Sequence, residues 1–455
     1  MKPFPKPIPL KKLIGPSFII LALGLGSGEV ILWPYLVSNF GLGIAWGALL
    51  GITFQFFMNM EITRYALVKG ESVFVGLKKM FSWAPYWFII STFIGFGIPG
   101  IIAASAKVFS HIANIPDSRF VAIPFLILIG IILSSSKTVY TRMEKITKYV
   151  LLIGAPFILI LAIIVSNPSD WITLGQGLIG KGEGFNFLPV GIGFATFLAA
   201  FAYSGAGGNL NLTQSIYVKE KGYGMGKYSQ RISGLFKSKK NEKIKLSGTD
   251  FKLNKENLKN FRIWWRRVSL EHLIVFWFIG LITMSLLMLL AYTTTYGNPN
   301  LGEGINFVIS EGQIIGQTVS PIIGLLFLIA VVIMLFQTQL GVLDSTSRIM
   351  AENFALQKIK NGKINLSKIY FIFLWAQILF GIILFLFNLE PLFLIILGAV
   401  INAFAMFVHL GLVNWMNLKV LPKQVQASLI RKIIIFGIFL FFGIFSGITI
   451  WDKFF

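Results

Sequence analysis

Glu29 is the residue with the most chemistry to offer. It closes the run Gly24-Leu25-Gly26-Ser27-Gly28-Glu29, in the middle of an apolar stretch from Leu13 to Phe40. A stretch of that length can cross a bilayer. Three glycines in five residues weaken a helix at its midpoint. A carboxylate at membrane depth is costly unless it faces a cavity or a partner. An interrupted helix also frees backbone carbonyls and amides, the groups from which secondary transporters build substrate and ion sites. The plainer alternative is that the glycines serve close helix packing and that Glu29 is a protonated structural acid.

A second interruption falls in the sixth apolar stretch, Ala202-Tyr203-Ser204-Gly205-Ala206-Gly207-Gly208-Asn209-Leu210-Asn211-Leu212-Thr213-Gln214. Glycines, hydroxyls and amides stand here where a lipid-facing helix would be apolar. Such backbone is tolerated at membrane depth only where it lines a cavity or is buried in protein. Further polar residues recur in later stretches: Gln337 in the eighth, Asn402 and His409 in the tenth. An amide inside a helix bundle commonly joins helices rather than binding substrate. For His409, near the end of its stretch, a packed or interfacial imidazole is the better reading. Asp344 with Arg348, and Glu61 with Arg64, have the spacing of structural ion pairs on helices.

The elements that must hold these residues are membrane helices. The chain has 455 residues, of which 55% are hydrophobic and 13% charged, against about 25% charged in soluble domains. Apolar runs centre near Leu25, Phe54, Gly95, Leu126, Pro156, Ala200, Ile279, Leu328, Leu379, Ala403 and Leu440, about eleven spans in all. With no cysteine, disulfides and thiolate metal sites are excluded. The glycine run is no dinucleotide fingerprint, because no strand precedes it. No HExxH, no GxSxG and no paired intramembrane carboxylates are present, so an intramembrane hydrolase is not indicated and an enzyme is not expected. No cofactor is expected either, beyond a transported ion.

The net charge of +22 is a statement about topology. Of 40 Lys and Arg, only Lys107, Arg119, Lys181 and Lys453 fall outside alternate loops of one set. This is the positive-inside pattern, with the N-terminus cytoplasmic and the C-terminus outside. Residues 1–12 read as a cytoplasmic tail, and 221–267 as a loosely ordered basic cytoplasmic loop holding Lys237, Lys239, Lys240, Lys243 and Lys245. Arg262, Trp264, Trp265, Arg266 and Arg267 read as an interfacial anchor. Basic residues with aromatics could also bind RNA. Beside a span, anionic lipid headgroups account for the same residues, and no nucleic-acid partner is expected. The expected partners are the bilayer, those headgroups and a small ion or solute.

With these residues in hand, the chain resembles the Nramp divalent-metal transporter family. Gly15-Pro16-Ser17-Phe18 opens the first span as that family's Gly-Pro-Gly-Phe does. The family's Asp-Pro-Gly-Asn then falls on Gly26-Ser27-Gly28-Glu29. Arg64-Tyr65-Ala66-Leu67-Val68-Lys69-Gly70 is similar to its Arg-Leu-Gly-Ile-Val-Thr-Gly, and its Met-Pro-His-Asn falls on Ala206-Gly207-Gly208-Asn209. Gln337 and Met350-Ala351-Glu352-Asn353-Phe354 fall on its Gln and its Val-Met-Glu-Gly-Phe. The resemblance implies an all-α integral membrane protein of LeuT-type fold, with helices 1 and 6 broken. It implies two inverted five-helix repeats, here 13–165 and 186–417, and one further helix, 430–452.

The departures bear on the substrate. The family's metal-binding Asp is Gly26 here, its Asn is Glu29, its metal-binding Met is Ala206, and its proton-linked His is Gly208. A thioether favours soft transition metals, whereas oxygen ligands suit hard ions. Met replaced by Ala resembles the change in Nramp-related magnesium transporters. A largely hydrated ion needs few protein ligands. The expectation is a secondary transporter, in the cell membrane, of a divalent cation such as magnesium. Its expected site comprises Gly26, Ser27, Glu29, Tyr203, Ser204, Ala206, Asn209 and Gln337, with Glu29 and Asn209 as metal ligands. Two alternatives stay open. One is a transporter of a small amino acid or amine, whose ammonium would pair with Glu29. The other is a non-transporting receptor or scaffold working through the basic loop.

Overall fold

The computed structural model describes residues 1–10, 13, 15–135, 139–229, 246–298, 304–358, 365–387 and 389–454. The lysines 237, 239, 240, 243 and 245 lie outside these residues. Among the described residues the chain is helical, with one isolated bridge between Lys181 and Asn186 in place of any sheet.

Nine of the described helices are long and apolar enough to cross a membrane: Pro16–Phe40, Leu42–Lys69, Ala84–Ile112, Met143–Val165, Lys255–Thr294, Pro321–Lys358, Leu366–Phe385, Pro391–Val420 and Leu429–Thr449. The fourth expected stretch is the shorter apolar helix Arg119–Ser134. The sixth is split into helices Phe194–Ala202 and Thr213–Lys221. Below, the spans are numbered first to eleventh in this chain order. The first lies in the middle of the molecule, with 94% of its apolar window buried, whereas the fifth and eleventh are at the rim, with 22% each. A helix hydrophobic on all sides and almost wholly covered belongs to the centre of a bundle. The sequence reads it so: Ile19-Ile20-Leu21-Ala22-Leu23 has no polar face.

The eighth span runs for 38 residues, about 57 Å at 1.5 Å per residue, longer than the hydrocarbon core of a bilayer. Its second half carries charges that are buried and paired. Arg348 lies 2.9 Å from Asp344 and 2.7 Å from Glu220 of the sixth span. Tyr370 of the ninth donates to Asp344 at 2.8 Å. Lys219 reaches Glu352 at 3.4 Å, and Ser72 donates to the same carboxylate. This network locks the end of the sixth span to the eighth. The expected Glu61–Arg64 pair forms at 2.8 Å, and Arg431 of the eleventh span joins it at 2.5 Å.

Within 221–267, the described residues from Lys255 onward are helical, although their composition suggests a loose loop. A helix starts at Lys255 and runs to His272 as the first part of the seventh span. Asn254 caps it, its side chain accepting from the Asn257 backbone. The tail packs on this helix. Phe4 fits between the rings of Phe251 and Phe261, at centroid distances of 4.8 and 5.9 Å. The Phe4 backbone N–H donates to Asn257 at 2.9 Å, Trp264 donates to the Pro5 carbonyl at 3.0 Å and Arg267 to the Ile8 carbonyl at 2.6 Å. A polar segment can order when an apolar strip on it is covered, and Phe4 is the cover. Trp265 stands between two guanidinium groups, with Arg64 at 3.8 Å and Arg431 at 5.4 Å from its ring.

Candidate functional site

The two interruptions meet. The glycines of the first span give the close approach. A Cβ on Gly24 would lie 2.6 Å from the Gly205 carbonyl oxygen, and one on Gly28 would land on the Tyr203 carbonyl. These two positions, one helical turn apart, share the face toward the sixth span. Gly26 faces the other way, where a Cβ would lie 2.6 Å from Thr338 Oγ1 of the eighth span. Thr338 in turn donates to the Ala22 carbonyl at 3.0 Å.

The first span changes winding here without opening. The α-helix Pro16–Gly24 gives way to a π-helical turn at Ser27–Leu32, followed by the α-helix Trp33–Phe40. Hydrogen bonds continue across the junction, from Leu25 to Leu21 and from Val30 to Gly26. Single π turns of this kind re-aim side chains within a helix. The sixth span does break. Its first helix ends at Ala202, Gly207 and Gly208 take φ of +73° and +48°, and a 3-10 turn at Gly208–Leu212 leads to the second helix. Such angles suit glycine.

Gln55 of the second span bridges that break. Its Nε2 donates to the Ala202 carbonyl at 2.9 Å, and its Oε1 accepts from the Gly207 N–H at 3.1 Å. One side chain thus satisfies backbone groups on both sides of the gap, as buried backbone requires. The sequence signal for it was present, a lone amide among Phe54, Phe56 and Phe57, but nothing local says which span it serves. Thr283 of the seventh span, the partner of Glu29, has no sequence signal at all.

Glu29 is completely buried on the π-helical turn. Its Oε2 accepts from Thr283 Oγ1 at 2.6 Å. Its Oε1 is buried with no hydrogen-bond partner, and among the described residues no basic side chain forms an ion pair with it. Asn209 is turned to other spans: its Nδ2 donates to Ser91 at 2.8 Å and Thr92 at 3.0 Å in the third, and its Oδ1 lies 3.4 Å from His409 Nδ1 in the tenth. Ser204 accepts from Trp33 Nε1 at 3.0 Å and donates to the Ala200 carbonyl at 3.1 Å. Tyr203 stacks on Phe96 at 6.2 Å, and its hydroxyl accepts from Asn402 at 3.0 Å. Asn402 lies equally close to the carbonyls of Gly95 and Gly398, tying the third, sixth and tenth spans. Gln337 donates to Thr147 of the fifth span at 3.1 Å and leaves its buried Oε1 without a partner. Gly26, Ser27 and Ala206 are buried at the junction.

The expected site residues therefore fall into groups around one junction. Glu29 faces the seventh span, Asn209 and Tyr203 face the third and tenth, Gln337 faces the fifth, and Ser204 holds the first and sixth together. Among the described residues no group of three or more His, Cys, Asp or Glu could hold a metal ion. The chemistry on offer is one carboxylate with a free oxygen, several amides and hydroxyls, and the backbone of an interrupted helix.

No family model matches the chain, and no curated protein sequence matches it. Among solved structures it is similar to a manganese transporter from Eremococcus coleocola, with a TM-score of 0.71 and 12% identity, covering 97% of this chain and 86% of that one. It is also similar to Mhp1, a nucleobase-cation-symport-1 family transporter, with a TM-score of 0.54 and 13% identity over 95% and 86% of the two chains. A third is MhsT in complex with L-phenylalanine, with a TM-score of 0.52 and 14% identity over 96% and 98%. The chain has the LeuT-type fold that these structures share.

Proposed function

We propose that the chain is a secondary membrane transporter of Nramp-related type that moves a divalent cation past the junction of the first and sixth spans. The observation that carries this reading is Glu29: a buried carboxylate at the centre of the bundle, with one oxygen unpartnered and, among the described residues, no basic side chain in an ion pair with it. An intramembrane acid in such surroundings marks an ion or proton path. The break in the sixth span beside it supplies backbone groups of the kind that transporters use for ions. The sequence correspondences at 15–18, 26–29 and 206–209, and the likeness of fold to a manganese transporter, support a metal cation as cargo.

Glu29 supplies the charge. Ser27 and the carbonyls of Gly26 and Ala206 complete the shell or hold water, and Gln337 Oε1 is free to accept. Asn209 brings its Oδ1 to the cation only by leaving His409, and its Nδ2 then releases Ser91 and Thr92, which ties cation binding to movement of the sixth span against the third and tenth. A single carboxylate is a sparse shell for a bare divalent ion, so the cation keeps much of its water, as magnesium does. The same single carboxylate favours one second reading: an amino acid or amine, with its ammonium on Glu29.

Metal softness separates the two. With Ala206 where a thioether would stand, binding should discriminate little in favour of manganese over magnesium. Calorimetry on the purified protein is expected to show this. Ala206→Met is expected to raise affinity for manganese and cadmium about tenfold relative to magnesium, a gain of about 1.4 kcal/mol. Affinity for neither metal rising in that variant would remove Ala206 from the site. An organic ammonium binding where no metal does would favour the second reading.

A further inference from the structure

A large cavity lies away from the junction, between the tenth and eleventh spans. It measures about 750 Å³, within the range of ligand-sized pockets. Its body is apolar, walled by Phe407, Val408, Leu412, Phe436 and Phe439, and one end is polar, with Asn414, Asn417, Gln426 and Lys432. Phe407 and Phe439 stack at 4.6 Å to form its floor. Gly411 admits the Phe439 ring, since a Cβ there would lie 2.9 Å from it.

The polar end has the marks of a headgroup site. Trp415 lies on its rim, with Lys419 Nζ 5.7 Å from the ring, the pairing of aromatic and basic residues typical of a membrane–water interface. Lys432 is held at the mouth by Gln426, 3.4 Å away. Glu61 also lines the cavity, but Arg64 and Arg431 meet its charge at 2.8 and 2.5 Å. Lys432 therefore acts as an uncompensated cation there. Asn417 is buried, donates to the Glu61 carbonyl at 3.0 Å and leaves its Oδ1 without a partner.

We propose that this groove is a binding site for one anionic phospholipid, with acyl chain between the tenth and eleventh spans and headgroup on Lys432 and Asn417. Basic pockets between membrane helices on the side carrying the basic loops select anionic lipids over zwitterionic ones. The free Asn417 oxygen accepts a hydroxyl, which suits a hydroxylated headgroup such as that of phosphatidylglycerol. A choline headgroup offers no donor to Asn417 and places a cation beside Lys432.

Native mass spectrometry of the delipidated full chain tests this, titrating phosphatidylglycerol and phosphatidylcholine of identical acyl chains. The wild type is expected to hold phosphatidylglycerol several-fold more tightly. Lys432→Ala is expected to weaken phosphatidylglycerol about fivefold, the effect of one basic residue at a lipid surface, and to leave phosphatidylcholine unchanged. Val408→Trp, which fills the groove and keeps its charge, is expected to weaken both. Equal retention of the two lipids by the wild type would overturn the proposal. So would phosphatidylglycerol binding unchanged in either variant, because the lipid would then sit elsewhere.

Discussion

Glu29→Gln is expected to reduce divalent-cation binding by at least about tenfold while the protein still folds and inserts. The substitution keeps size and the hydrogen bond from Thr283, whose hydroxyl lies 2.6 Å from Oε2, so packing is preserved. What it removes is the charge. A proton and a cation compete for the same carboxylate, so in the wild type cation binding weakens as pH falls. In Glu29→Gln no proton competes, and any residual binding is independent of pH. Glu29→Asp keeps the charge with a shorter reach and is expected to retain part of the affinity. The check is calorimetric titration of magnesium and manganese at several pH values. An unchanged affinity and pH profile in Glu29→Gln would make Glu29 structural and move the site to the sixth and eighth spans.

Gly28→Ala is expected to disrupt the junction itself. The added methyl would occupy the position of the Tyr203 carbonyl oxygen. Backbone cannot swing aside as a flexible side chain can, so the first and sixth spans must separate. Overpacking of this kind costs about 1–3 kcal/mol and more where neither neighbour can give. Gly24→Ala, against the Gly205 carbonyl at 2.6 Å, should act in the same direction. Gly447→Ala in the eleventh span, with nothing within 4 Å, should not lower stability and by helix propensity should raise it by up to about 1 kcal/mol. Thermal unfolding of the purified variants, followed by size-exclusion chromatography, separates these outcomes. A Gly28→Ala protein as stable as Gly447→Ala would mean that the spans do not pack as closely as described.

These glycines show what a sequence makes legible. Their number and position mark a weak point in the helix, since each glycine there costs helix stability locally. Their use as contact surfaces does not follow from that, because it depends on which span lies opposite. The ion pairs Asp344–Arg348 and Glu61–Arg64 were legible, because helical spacing alone brings them together. Glu220 on Arg348 and Arg431 on Glu61 were not, as each comes from another span. The same limit hides Thr283 behind Glu29 and Gln55 behind the break at 202–207. Composition reads 255–261 as part of a loose loop for a related reason: the helix there packs on Phe4, some 250 positions earlier, and charge content records nothing of such a partner.

Flux into proteoliposomes tests the central claim most directly. The purified chain, reconstituted at an inward pH gradient, is offered manganese, magnesium and a panel of amino acids and amines in parallel. The account predicts saturable uptake of divalent cations above the level of empty liposomes, inhibited by added magnesium when manganese is the tracer and lost in Glu29→Gln. Uptake of an organic solute without divalent-cation flux, or no flux of any solute by a folded and correctly inserted protein, would contradict it.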